Sequence, residues 1–209
     1  MNRRLLLWSI PAALYVGFTL WYTDLGGPLS EEEVAEAMAY FESRGMEPVQ
    51  KSRMQSFLAN DTGRQFLMVN NIDMNETPPP MEGFGPDATA DDYMNHYMEH
   101  MYPELLSRAC HPAFFGRVAG PAMDISGIEG AGNWDQAALF RYRSRRTFVE
   151  IVTNPAIGPR HEFKIAAMTK TIAYPVEATL YLSDPRLLLF LVLGLVTALL
   201  DILIYGRKR

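Results

Sequence analysis

Two apolar runs, one near each end, constrain this chain more than anything between them. Leu5–Tyr22 (LLLWSIPAALYVGFTLWY) and Leu187–Tyr205 (LLLFLVLGLVTALLDILIY) contain a single charge, Asp201. An α-helix rises about 1.5 Å per residue, so each run reaches about 27–29 Å, close to the hydrocarbon thickness of a bilayer. Trp21, Tyr22 and Tyr205 close the runs with rings that favour the membrane interface. A cleaved signal peptide fits the first run less well. The candidate site after Gly27 has Leu25 at −3 and Pro28 at +1, both unfavourable. The expected layout is an anchor over 1–25, a second transmembrane helix over 186–206 and a basic cytoplasmic tail at 207–209. Arg3 and Arg4 flank one run, and Arg207, Lys208 and Arg209 the other. The positive-inside rule therefore puts both termini in the cytoplasm and the central domain in the periplasm or an equivalent extracytoplasmic space. The expected location is the inner (cytoplasmic) membrane, with membrane lipid as a partner. Asp201, near the end of its helix, is expected to snorkel to the interface rather than to pair with Arg3 or Arg4. Gly194 and Ala198 form a small-xxx-small pair that hints at close helix packing.

Charge narrows the function classes. The chain carries −5 formally, but Asp24–Arg186 holds 14 basic and 23 acidic residues, a net of −9. Nucleic acid selects for basic faces, so no nucleic-acid partner is expected. Cys110, the lone cysteine, has no intrachain disulfide partner.

The middle reads as a helical extension followed by an α+β domain. Ser30 with Glu33 three residues on is a capping box, and Val34, Ala37, Met38 and Phe41 give the helical apolar stripe. A short helix is expected over Lys51–Ala59, completing an amino-terminal extension over 26–63. Gln65–Ile72 reads as a strand apolar on both faces, and the Pro78–Pro86 stretch as an exposed loop. Then come a helix (Asp91–Ala109), two strands (Ala113–Met123 and Gln136–Tyr142), a helix over Arg145–Thr153 that resumes at Arg160–Met168, and a strand (Thr171–Val176). The order β-α-β-β-α-β over 64–180 is the ferredoxin-like split βαβ arrangement.

FLMVN at Phe66–Asn70, FFGRVAG at Phe114–Gly120 and WDQAALFRYRSRRTFVEIVTNP at Trp134–Pro155 carry a family resemblance, followed by His161-Glu162 and TKTIAYP. This half of the chain resembles the dimeric α+β barrel superfamily, in its branch of small uncharacterised domains related to antibiotic-biosynthesis monooxygenases. The resemblance implies a two-fold dimer and ligands seated between sheet and helices, with Asn70, Arg141 and His161 as candidate ligand-binding groups. Haem-binding branches use a helix histidine as axial ligand. The two anchors, the extra amino-terminal helices and the Pro-rich loop depart from the family.

Three clusters suggest other chemistry. His96-Tyr97-Met98-Glu99-His100 matches H-x-x-E-H, but helical phase turns both histidines away from the stripe of Met94, Met98, Met101 and Leu105. A solvated face is expected, not a catalytic zinc site. Met94, Met98, Met101 and Met123 beside Cys110 and His111 suggest soft-metal ligands, with core filling as the expected role. Arg141, Arg143, Arg145 and Arg146 can clamp an anion or pair with carboxylates such as Glu150. No cofactor is expected, with haem and a surface metal left open, and no catalytic residue is assigned. The leading expectation is a non-catalytic accessory or structural subunit that self-associates or docks on a larger membrane complex. The alternative is a small-molecule-binding protein or monooxygenase-like enzyme acting on an apolar substrate. An open pocket between sheet and helices favours the alternative, and a solid core favours the subunit. Three candidates are expected to cover the far face of the sheet: a second copy, the segment Ser30–Ala59, or a partner.

Overall fold

The computed structural model describes residues 2–206, so the basic tail at 207–209 lies outside the described residues. In chain order the elements are α1 (Arg3–Tyr22), α2 (Glu31–Ser43), α3 (Pro48–Ala59), β1 (Phe66–Met74), α4 (Ala90–Ser107), β2 (His111–Arg117), β3 (Gln136–Tyr142), α5 (Arg145–Val152), a 3-10 turn (Gly158–Arg160), α6 (His161–Ala166), β4 (Met168–Val176) and α7 (Pro185–Tyr205). They form two compact units, Met1–Leu25 with Ala178–Arg209, and Gly26–Glu177.

The first unit is a pair of antiparallel helices, each long and apolar enough to cross a membrane. Asn2 caps α1 by accepting from the Arg4 amide, and Asp184 caps α7 by accepting from the Arg186 amide. Tyr15 and Phe190 meet edge to face at 5.6 Å. At one end Arg186 donates to Thr23 Oγ1 at 2.9 Å. At the other, Arg4 grips Asp201 with two hydrogen bonds of 2.8 and 2.6 Å. This corrects the snorkelling expectation: Asp201 is an interhelical partner, its side chain only 12% exposed. Gly194 is not a close-packing point, since a methyl group there would meet nothing within 4 Å.

The second unit is mixed α+β, built on a four-stranded antiparallel sheet in the order β2-β3-β1-β4. Side chains alternate between its faces. Phe66, Met68, Asn70 and Ile72 of β1 face the helices, with Phe66 and Ile72 buried. Phe66 stacks on Tyr142 across the β1–β3 pair at 5.2 Å, and Leu105, Cys110 and Ile151 complete a core with no exposed surface of their own. The capping box at Ser30 and Glu33 is formed as its sequence spacing requires.

Helices α2 and α3 belong to this same compact unit. Ala37, Met38, Phe41 and Leu58 form a second core cluster against Val149 and Val152 of α5. Phe57 meets Phe66 and Phe148 edge-on at 5.2 and 5.7 Å. The extension therefore widens the helical layer and does not cover the far face. That face carries a row across all four strands, Phe114–Leu139–Val69–Tyr174, with Phe114 51% and Tyr174 46% exposed.

Most boundaries fall within three residues of expectation, and two differences are instructive. β2 stops at Arg117; beyond it only isolated bonds join the two sides of the loop, Val118 N–H to Asp135 O and Ala122 N–H to Gly132 O. β4 starts at Met168, shortening α6, because β1 runs on to Met74 and its backbone groups take Met168 and Ala167 as partners across a bulge.

Helix α4 ends in a Schellman motif: Cys110 N–H donates to Leu105 O at 2.8 Å and Ala109 N–H to Leu106 O at 3.2 Å. The left-handed position is Ala109, with φ 57°, where glycine is usual. Ala109→Gly removes the Cβ penalty and is expected to stabilise the domain by about 1 kcal/mol. A thermal-unfolding midpoint that falls on this change would contradict the strain argument.

Candidate functional site

Across the helix-facing side of the sheet runs the row Phe115–Ala138–Asn70–Ala173, one residue from each strand. Two alanines flank Asn70, so the floor there is low. The space left is a cavity of about 840 Å³. Ligand pockets typically hold about 300–1,000 Å³. Its walls are Met94, Tyr97, Met98 and Met101 of α4, Phe148 and Val152 of α5, and Tyr40, Phe41 and Met54 of α2 and α3. Polar groups are few: Asn70, Gln136, Tyr97, Tyr142, His161 and Lys164, with Arg44 and Glu162 also on the wall.

Asn70, Tyr97 and Tyr142 are buried, Lys164 is half-buried, and His161 and Glu162 are exposed at the rim. Burial pushes the Tyr97 hydroxyl up to about 12. Burial, and then Tyr97, push Tyr142 upward as well. Burial lowers His161, with the Lys164 charge adding to the effect, and burial lowers Lys164. The Lys164 ammonium stands 5.8 Å from the Tyr97 ring centroid, and the His161 ring 6.2 Å from the same ring. Asn70 donates its amide to Met68 O at 3.0 Å, which fixes its orientation on the floor.

Of the three sequence candidates, Asn70 and His161 line the cavity and Arg141 does not. Arg141 pairs with Leu67 on the far side of the sheet and is completely buried. Its guanidinium donates to Gln65 Oε1 at 3.0 and 2.7 Å and to the Ala109 carbonyl. Those bonds tie β3 to the strand entry and to the end of α4. The other arginines of the cluster are also engaged, though not with Glu150. Arg145 reaches Glu177 at 2.9 Å and Asp61 at 3.4 Å. Arg146 holds Glu33 at 2.7 and 3.1 Å, which with the Ser30 backbone keeps that carboxyl down at about 2. Glu150 instead faces Arg108 at 3.5 Å.

His96 and His100 are half-buried rather than fully solvated. The Pro-rich loop folds back, with Tyr93 donating to Pro79 O at 2.9 Å, and it sets Phe84 against His96 at 5.4 Å. Phe163 covers the other side of His96 at 4.7 Å. Among the described residues, no group of three His, Cys, Asp or Glu side chains stands close enough to hold a metal ion. Met94, Met98 and Met101 belong to the core and the cavity wall, while Met123 is 96% exposed on a loop. Burial raises the Cys110 thiol.

Lys164, Gln136, Tyr97 and Tyr142 are lining residues that the sequence did not single out. The signal for them was the pair of alanines, Ala138 and Ala173, but reading it requires the strand register.

Solved structures that share the fold include two of one protein. One is a protein of unknown function from Rhodopseudomonas palustris, RPA0582, 17% identical, with a TM-score of 0.52 over 63% of this chain and 95% of that one. The other is methylated RPA0582, 18% identical, with a TM-score of 0.53 over 62% and 92%. No protein-family profile and no curated protein matches the chain.

Proposed function

We propose that this chain is a membrane-anchored, extracytoplasmic domain of the ferredoxin-like, α+β-barrel kind that binds a small apolar molecule between its sheet and its helices. The cavity above Asn70 carries the reading. A purely structural domain gains from filling such space, since close-packed interiors are the norm and voids are costly. Here aromatic and methionine side chains line it, with a few polar groups at fixed points, as in a ligand pocket. The polar groups hold and orient; the reading is binding rather than turnover. The test is extraction of the full chain with its lipid, followed by mass spectrometry of bound organic molecules. Wild type is expected to hold a molecule enriched at least tenfold over Ala138→Trp and Ala173→Phe, both of which fill the floor. Equal profiles in all three would sink the proposal.

A second reading, an accessory subunit that self-associates, draws on the open apolar face with its Phe114–Leu139–Val69–Tyr174 row. The two are compatible, because the cavity and the open face lie on opposite sides of the sheet. In both readings the antiparallel pairing of α1 and α7 supports a hairpin with both tails in the cytoplasm. A periplasm-active reporter inserted in the Gly120–Gly132 loop is expected to be active, and the same reporter after Arg209 silent. The reverse pattern would overturn the proposed orientation.

A further inference from the structure

We infer that the molecule held in this cavity is an amphiphile with an acidic head, a carboxylate on an apolar body, and that Lys164 is its counter-ion. The inference rests on the binding reading above and adds the ligand class. Most of the wall is apolar, yet it includes an ammonium. Five other cations of the same unit meet a carboxylate: Lys51 with Glu42, Arg108 with Glu104, Arg145 with Glu177, Arg146 with Glu33 and Lys170 with Asp73. Among the described residues, Lys164 has no carboxylate or carbonyl partner, only the face of Tyr97 at 5.8 Å. This is not for want of acids, since the region between the spans carries a net of −9. Glu162, on the same short helix, lines the cavity without pairing with it. Lys164 is half-buried at the cavity wall; a partly desolvated charge without a partner is unfavourable, and an anion entering the cavity supplies the missing partner.

The neighbouring groups suit the same head. His161 lies three residues before Lys164, on the same helical face. The hydroxyls of Tyr97 and Tyr142 have no hydrogen-bond partner among the described residues and are available as donors. Arg44 adds a second cation to the wall, so the lining has two cations against one carboxylate in an otherwise acidic domain. That local reversal of sign selects anions.

The test uses the full chain in lipid nanodiscs, with radiolabelled decanoic acid and 1-decanol as probes and empty nanodiscs subtracted. Wild type is expected to bind one acid per chain at least tenfold tighter than the alcohol. Lys164→Met should lose tenfold or more for the acid and keep its affinity for the alcohol, and Lys164→Arg should retain the acid. Alcohol binding shows that each variant is folded, and the wild-type ratio decides without any variant. Equal affinities in wild type, or an undiminished acid affinity in Lys164→Met, would overturn the acidic head and leave the apolar pocket standing. Binding of neither probe would overturn both.

Discussion

Exchanging Arg141 for methionine is expected to destabilise the domain by about 3 kcal/mol, the cost of stranding buried polar partners. The side chain is completely buried, and it satisfies the Gln65 amide oxygen and the Ala109 carbonyl together. Methionine fills similar volume but donates nothing, so both acceptors lose their partner. The second change, Gln65→Met, should then cost less in the Arg141→Met background than alone, because its acceptor has already been orphaned. Urea unfolding of the full chain in nanodiscs, followed by near-ultraviolet circular dichroism, measures both terms. A loss below about 0.5 kcal/mol for Arg141→Met, the range of ordinary surface changes, would refute the tying role.

The far face of the sheet yields the other large effect. Leu67, Val69, Leu139, Ile172, Tyr174 and Val176 share that side with Phe114, and helices α2 and α3 lie on the opposite one. Monomers seldom expose apolar patches beyond about 300–600 Å². Two copies packed face to face about a two-fold axis bury the row twice over. Wild type in nanodiscs is expected to run at twice the chain mass by light scattering after correction for lipid. Val69→Lys with Tyr174→Lys should halve that mass while the cavity still binds its ligand. A wild type already at single mass would remove self-association from the account.

Much of this architecture was legible from local chemistry. The capping box at Ser30, the stripe on α4 and the strand at Gln136–Tyr142 depend on neighbours in sequence, so periodicity was enough to find them. Arg141 shows where that reasoning stops. Alternation along the strand says which residues share a face with Arg141, but which face meets the helices depends on register across strands. With Asn70 opposite Ala138, Arg141 falls three residues away and so on the other side. Asp201 was misread for a similar reason, since its partner Arg4 is 197 positions away. The half-burial of His96 came from the Pro-rich loop folding back, a tertiary event with no local signature.

The methionines on the cavity wall have a bearing on selectivity. Met54, Met68, Met94, Met98 and Met101 contribute thioethers on unbranched, rotatable stems. Such a wall re-forms around ligands of different outline at little cost, whereas a wall of branched side chains would accept one shape and reject its neighbours. Discrimination then rests on the polar groups: Asn70, held by its own strand, and the tyrosines and lysine beyond it. Ligands would be sorted by where their polar atoms fall, and homologous molecules differing by a methylene or a branch would compete on nearly equal terms.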